Sequence, residues 1–216
     1  MNTNKFPFKR FTDNIQYAQR MINGGLTLET LGASGVDLGT LTSDHAPHPD
    51  DLYRAAWTQA TTALDHWLHE AIIDYIVAHT DDTTWERPKG LNALKMDFGH
   101  AEELSGPRQK RIVIQEFLRK ELNRSTYQRS AVISDGLRLA VHLNGGQIWA
   151  SIGAPCNMSA NEAISWHDAI VDRRNKIAHR ADLDDQGRRT PMSAAEAQGT
   201  LDWITHVGSE VALLLH

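Results

Sequence analysis

Cysteine is almost absent from this 216-residue sequence, which contains only Cys156. A single thiol excludes an internal disulfide framework and is typical of proteins that fold in a reducing compartment. No histidine-paired nucleophile motif surrounds Cys156, so we interpret it as an ordinary small side chain. We therefore expect a cytoplasmic protein that is stabilised by its hydrophobic core.

Long apolar runs and a strong net charge are also missing. The apolar segment 211–215 is far too short to span a bilayer. Lys5, Lys9 and Arg10 are not followed by the apolar region of a secretory signal peptide, so we expect neither a leader nor a membrane partner. The net charge of −5 means that binding to a polyanion requires a local basic patch.

Motifs for metals and nucleotide cofactors are missing as well. The sequence has no carboxylate set with the spacing of a two-metal nuclease, no phosphate loop and no dinucleotide fingerprint. His45 and His48 lie three residues apart, but zinc would need two further ligands nearby. The acidic run 182–185 is interpreted as a solvated turn. We expect no metal and no other cofactor.

Apolar residues recur at helical spacing along most of the chain. The clearest pattern covers residues 51–78, and shorter patterns predict helices over 108–127, 130–143, from Ser159 onward, and from residues 190–193 to the C-terminus. The predicted buried faces include Ile112, Trp166 and Ala195. Ser159 and Glu162 form a capping box. We predict an all-α fold, an antiparallel bundle of four to five core helices over residues 51–216.

Residues 1–50 are predicted to form an N-terminal appendage. A short helix is expected from Asp13 to Met21, ended by Asn23-Gly24-Gly25, because glycine commonly follows the last turn of a helix. Gly, Ser, Thr and Asp then predict an irregular stretch through Ser43. Residues 45–49 are interpreted as a proline-stiffened loop before a helix that begins at Asp50 or Asp51.

The dipeptide Asn144-Gly145 leaves two interpretations open. It is typical of a hairpin turn, here between strands 137–142 and 148–152, but it also suits the end of one helix before another. We favour the helices, because the surrounding patterns are helical and no third strand is available to stabilise a pair.

The residues with the most informative chemistry lie near the C-terminus, at Arg174, Asn175 and His179. On a helix, Asn175 and His179 are i,i+4 neighbours, and Arg174 lies about 100° away around the axis. A cation can hold a phosphate, an imidazole can transfer protons near neutral pH, and an amide can orient either group. The alternative is a solvated helix end, where cations interact favourably with the helix dipole.

The string Arg-Arg-Asn-Lys-Ile-Ala-His at 173–179 resembles the signature of the HEPN superfamily. Its ribonuclease members carry an Arg followed by a polar residue, and four to six residues separate the Arg from a His. The Ala-Leu-Asp pattern at 63–65, with His69, further resembles HEPN domains found with L-PSP-type endoribonucleases. The resemblance covers roughly residues 51–216. It implies a helical homodimer that cuts RNA without a metal in a composite active site, leaving a 2′,3′-cyclic phosphate and a 5′-hydroxyl.

The resemblance also implies roles for single residues. His179 is expected to act as base or acid, Arg174 to hold the phosphate, and Asn175 to orient His179 or the phosphate. Asp65 and His69 line the site or the dimer interface, or else face solvent. Further positive potential is expected from three neighbours of the motif, which are Arg173, Lys176 and Arg180. A second basic surface, suited to an RNA backbone, is expected from Arg108, Lys110, Arg111, Arg119, Lys120, Arg124 and Arg129.

The resemblance suggests a toxin or an antiphage abortive-infection effector, with an antitoxin or a sensor protein as a possible partner. Ala181 stands where toxins paired with nucleotidyltransferase antitoxins often carry Tyr, so nucleotidylation at that position is not supported. One alternative is a non-catalytic HEPN module that binds RNA, a nucleotide or a partner protein. Another is a structural helical protein whose basic face is incidental.

Overall fold

The computed structural model describes residues 5–35 and 48–216. Over these residues the chain forms nine α-helices and no β-strand, which confirms the prediction of an all-α fold. The helices are α1 Lys5–Ala33, α2 Pro49–His79, α3 Lys89–Asn92, α4 Phe98–Leu104, α5 Lys110–Leu122, α6 Ser130–Leu137, α7 Gly145–Gly153, α8 Ala160–Arg180 and α9 Ala194–Leu214.

Helix α2 is the element on which α1, α5, α8 and α9 pack. It begins with Pro49 in its first turn, and the His48 side chain accepts a hydrogen bond from the backbone N–H of Asp50. Apolar side chains such as Leu64, Leu68 and Ile72 are buried along its length. The predicted helix over residues 51–78 is therefore confirmed. Several helices pack around α2 because its apolar surface is too wide to be covered by one of them.

The prediction of a short N-terminal helix from Asp13 to Met21 is wrong. Helix α1 continues through Gly24 and Gly25 to Ala33, and its side chains Phe11, Ile15 and Ile22 belong to the same hydrophobic core as α2 and α9. A Cβ atom at Gly25 would lie 2.3 Å from the ring of Tyr53. This glycine therefore permits the close approach of α1 and α2 and does not end the helix.

The irregular stretch predicted after Gly25 is wrong for its first residues, because α1 continues to Ala33. Residues 36–43 of that stretch lie outside the described residues, as does His45 of the predicted proline-stiffened loop. In the described ranges, none of the helices combines the length and apolarity that a bilayer-spanning helix requires.

Helix α5 is shorter than predicted, and the face that it buries differs from the predicted apolar face. It covers Lys110–Leu122 and buries Val113, Phe117 and Leu118, whereas Ile112 is 41% exposed. The expectation that Ile112 is buried is therefore wrong, because the helix turns its 113/117/118 face toward α2.

The helical interpretation of residues 130–153 is confirmed. Helix α6 ends at Leu137, earlier than predicted, and α7 begins at Gly145. Asn144 caps α7 because its side chain accepts a hydrogen bond from the backbone N–H of Gln147. The Gln147 side chain in turn accepts a hydrogen bond from the backbone N–H of Asn144. Asn144 and Gly145 therefore start a helix and do not form a hairpin turn.

Helices α8 and α9 both begin with a capping box, at Ser159 with Glu162 and at Ser193 with Glu196. Trp166 was expected in the buried face of α8, but it is 50% exposed, and the adjacent His167 is buried instead. Ala195, expected in the core face of α9, is exposed as well.

Candidate functional site

A surface depression with a volume of about 470 Å³ lies at the C-terminal end of α8. Four of the residues that the sequence predicts for the site line it together, and two further residues, Arg129 and Asp172, complete it. The lining residues are Arg129, Asp172, Asn175, Lys176, His179 and Arg180. Asn175 and His179 share one face of α8 because they are separated by four residues.

Arg174 is not one of the residues that line the depression. Its side chain is partly buried, and its Nη1 donates a hydrogen bond to Oδ1 of Asn175 at 3.2 Å. Its Nε is buried and has no hydrogen-bond partner in the described part of the chain. The contact directs the carbonyl oxygen of the Asn175 amide toward Arg174, which leaves Nδ2 as the amide atom that can donate to a ligand.

Arg173 donates hydrogen bonds to the segment that follows α8. Its Nη2 donates to Oδ2 of Asp182 at 2.8 Å and lies 3.3 Å from the carbonyl oxygens of Thr190 and Pro191. Nε of Arg54, from α2, donates to the same Asp182 oxygen at 2.9 Å. Asp182 is fully buried, so the prediction that it belongs to a solvated turn is wrong. The pair of arginines compensates the buried carboxylate and ties the end of α8 to α2.

Asp65 and His69 lie on α2 and do not line the depression. Oδ1 of Asp65 accepts a hydrogen bond from the backbone N–H of Tyr127 at 2.6 Å, and Oδ2 accepts from Nε2 of Gln128 at 3.1 Å. Nε2 of His69 lies 3.4 Å from Oδ1 of Asp65. Burial raises the pKa of Asp65, but the hydrogen bonds from His69, Gln128 and Tyr127 outweigh it, so the net pKa is below the usual value. Asp65 therefore holds the chain that precedes α6.

Helix α8 also forms hydrogen bonds with residues 128–130, the segment that precedes α6. Nε2 of His167 donates to the carbonyl oxygen of Gln128 at 2.6 Å. The carboxylate of Asp168 accepts hydrogen bonds from both the backbone N–H and the hydroxyl of Ser130, each at 2.9 Å. Arg129 lies between these two anchored residues, and its guanidinium pairs with Asp172. The position of Arg129 at the depression is thus fixed by contacts with both α2 and α8.

His167 is a buried residue that the sequence interpretation missed. Its Nδ1 lies 3.3 Å from Nε1 of Trp203, which donates to it, and burial lowers the pKa of the imidazole. The signal was present in the sequence, because His167 lies four residues after Ala163 and three before Ile170, both of which were assigned to the buried face. A histidine at such a position is more often part of the core than of a site.

The second basic surface is largely neutralised by neighbouring carboxylates. Every cation predicted for it has an acidic partner within ion-pair distance, and most of these pairs are exposed to solvent. A role in following an RNA backbone stays a prediction. The pairs are Arg108 with Glu103 and Glu116, Lys110 and Arg111 with Asp81, Arg119 with Glu70, Lys120 with Asp97, Arg124 with Glu121, and Arg129 with Asp172.

A second cavity, with a volume of about 260 Å³, lies between α2, α5 and the connection that joins them. Its lining is mostly apolar and includes Trp85, Leu94 and Phe117. It contains none of the motif residues. Among the described residues, no three His, Cys, Asp or Glu side chains form a group that could hold a metal ion.

The chain matches no known protein family model, no curated protein and no solved structure. A function for this protein therefore has to be inferred from the chemistry of the depression on α8.

Proposed function

We propose that this protein is a metal-independent endoribonuclease of the HEPN type that cuts RNA at the depression on α8. The observation that carries the proposal is the grouping of an imidazole, an amide and three cations around one depression. These are His179, Asn175 and the cations Arg129, Lys176 and Arg180. The all-helical fold supports the proposal, because a HEPN domain is a helical bundle.

In the proposed reaction, the 2′-hydroxyl of one nucleotide attacks the adjacent phosphorus, and the bond from phosphorus to the 5′-oxygen breaks. His179 removes the proton of the 2′-hydroxyl as a base, or donates a proton to the departing 5′-oxygen as an acid. Lys176 and Arg180 stabilise the negative charge on the phosphate oxygens. The products are a 2′,3′-cyclic phosphate and a 5′-hydroxyl, and no metal is needed.

One imidazole does not serve both ends of this displacement at the same time. A homodimer with two-fold symmetry solves the problem, because it brings a second copy of the same helix face to the first. His179 and Arg180 are both exposed on the outer face of α8, which supports their access to a second copy. The active site we propose is therefore a composite of two depressions.

Arg174 acts through Asn175 in this proposal. Its hydrogen bond to Oδ1 holds the amide so that Nδ2 can donate to a phosphate oxygen or to the imidazole of His179. This role differs from direct contact between Arg174 and the phosphate, which the resemblance implies.

The position of Arg174 favours a second candidate function. Arg174 lies outside the depression, and a cation there contributes less to transition-state stabilisation than one inside it. This position favours a non-catalytic HEPN module that binds RNA, a nucleotide or a partner protein. Such a module would bind RNA without cutting it.

The resemblance to HEPN toxins supports a further part of the proposal, a role as a toxin or an antiphage abortive-infection component that an antitoxin or sensor partner restrains. Expression of the wild type should then arrest growth, and His179→Ala should abolish the arrest. A wild type that is harmless when expressed alone at high level would argue against the toxin role.

The proposal is tested by RNA cleavage in EDTA with purified wild type and His179→Ala. We expect the variant to lose about 10²–10⁴-fold in rate, which is the usual contribution of a general acid or base. The matched control is His66→Ala, since His66 is exposed on α2 outside the depression. If wild type and His179→Ala bind RNA equally well and neither cuts it, the binding module is correct and the nuclease is not.

A further inference from the structure

Among the described residues that line the depression, Arg129 is the one that α8 does not supply. It directly precedes α6, and its guanidinium reaches α8 and pairs with the carboxylate of Asp172. Both side chains line the same depression as His179. An ion pair thus occupies part of the wall on which we expect a phosphate to bind.

Hydrogen bonds to α2 and α8 hold the residues on both sides of Arg129. Asp65 of α2 accepts from Tyr127 and Gln128, and Asp168 of α8 accepts from Ser130. These bonds do not involve the Arg129 side chain, so its Cα position does not depend on Asp172. A cation held in place in this way loses less conformational entropy when it binds an anion.

The partner of Arg129 is held much less firmly. The Asp172 side chain is 62% exposed and that of Arg129 is 43% exposed. Exposed ion pairs contribute little to stability, so another anion can replace the carboxylate at little cost. The two non-bridging oxygens of a phosphodiester can accept a bidentate pair of hydrogen bonds from a guanidinium, as the two oxygens of a carboxylate can, so a phosphate can take the place of Asp172.

We infer that Arg129 binds a phosphate of the RNA substrate and that Asp172 is its internal competitor, which the phosphate must displace. In the free protein, Asp172 neutralises Arg129 and lowers the positive potential of the depression. When RNA binds, its phosphate takes the guanidinium and Asp172 turns to solvent. This inference rests on the proposed function, because RNA is taken as the ligand.

The test is the affinity for a short single-stranded RNA with 2′-O-methyl groups, which cannot be cut by attack of its own 2′-hydroxyl. Four proteins are compared: wild type, Arg129→Gln, Asp172→Asn and the double variant. We expect Arg129→Gln to weaken binding about tenfold and to make the slope of log K against log salt shallower by about 0.7, the loss of one phosphate contact. We expect Asp172→Asn to tighten binding several-fold.

The double variant decides whether Asp172 acts through Arg129. We expect it to bind like Arg129→Gln alone, because Asp172 then has no guanidinium whose charge it neutralises. Arg138 and Asp135, an exposed ion pair in and next to α6, provide the matched controls. Arg138→Gln and Asp135→Asn make the same charge changes outside the depression and should alter affinity less than twofold. Thermal unfolding of each variant checks that it is folded.

Three outcomes would overturn the inference. If Arg129→Gln binds like the wild type, Arg129 does not contact the phosphate. If Asp172→Asn tightens binding as much in the Arg129→Gln background, Asp172 acts through its charge alone. If the wild type neither binds this RNA nor cuts unmodified RNA, the proposed function fails together with the inference. The first two results leave the proposed function intact when the wild type still cuts.

Discussion

At the scale of single residues, Asp182 shows how strongly a buried charge depends on its partners. It is fully buried, three residues after His179, and it is compensated by Arg54 and Arg173. The sequence alone suggests a solvated acidic run, because neither arginine is recognisable as its partner before the chain is folded. The same contact explains why Arg173, which adjoins the motif, turns away from the depression.

Asp182→Asn should lower the free energy of unfolding by about 3 kcal/mol, because it leaves two arginines without their buried counter-charge. Urea denaturation measures this difference. The matched control is Asp185→Asn in the same acidic run, where the side chain is exposed and the effect should stay within about 0.5 kcal/mol. Equal effects of the two substitutions would contradict a structural role for the Asp182 ion pairs.

His167 predicts how stability depends on pH. Burial lowers the pKa of the folded imidazole, and its Nδ1 already accepts from Trp203, so the folded state resists protonation. The unfolded chain takes up this proton at a pKa of about 6.5. The unfolded state therefore binds more protons below that pH, and the stability that His167 contributes is complete above about pH 6.5 and is lost as the pH falls.

His167→Gln should remove this dependence, because a glutamine does not titrate. Between pH 7.5 and pH 5.5 the wild type should lose as much as about 1 kcal/mol more stability than the variant in urea denaturation. His66→Gln is the control, since His66 is exposed and its substitution should leave the pH profile as in the wild type. A variant that loses as much stability on acidification as the wild type would mean that His167 is not the titrating group.

At the scale of helices, strong periodicity and side-chain caps made α2, α8 and α9 predictable. The capping box at Ser159 marks the start of α8 in the sequence, and the structure shows a second box, at Ser193, at the start of α9. Helix α1 was not predictable in the same way, because Gly24 and Gly25 usually indicate a helix end. What keeps α1 helical there is its packing against Tyr53, a contact between elements that no local pattern shows.

Gly25→Ala should destabilise the protein by about 1–3 kcal/mol, because the new methyl group would overlap the ring of Tyr53, which is buried and has little room to move. Gly24→Ala is the matched control. Its Cβ would meet only Leu52, at 3.5 Å, so the better helix propensity of alanine should stabilise the protein by about 0.5–1 kcal/mol. Thermal or urea unfolding measures both changes. If both substitutions change the free energy of unfolding in the same direction, close packing of Gly25 against Tyr53 does not explain why α1 continues there.

At the scale of the whole molecule, part of the candidate site was predictable from sequence and part was not. Asn175 and His179 follow from their four-residue spacing on one helix, whereas the direction of Arg174 depends on which face of α8 is buried. Arg129 reaches the depression only because Asp65 and Asp168 anchor the residues around it. Contacts of this kind join distant parts of the chain, so a local motif does not reveal them.

The proposed composite site requires a homodimer in solution. Light scattering should give twice the mass of the chain, and the cleavage rate per subunit should rise with protein concentration through the monomer–dimer equilibrium. Replacement of Ala169, which is exposed on α8, by Glu should shift the protein toward the monomer and lower the rate. A monomer with full cleavage activity would contradict the composite site, although not the role of His179 itself.

The proposed role of His179, in which the 2′-hydroxyl of one nucleotide attacks the adjacent phosphorus, is tested most directly by the chemistry of the product ends. RNA is incubated with the wild type in EDTA, and both new ends are identified by mass spectrometry. We predict a 2′,3′-cyclic phosphate and a 5′-hydroxyl, and no cleavage where the scissile nucleotide carries a 2′-deoxyribose. A 5′-phosphate with a 3′-hydroxyl, or the same products at an unchanged rate from His179→Ala, would contradict this role of His179.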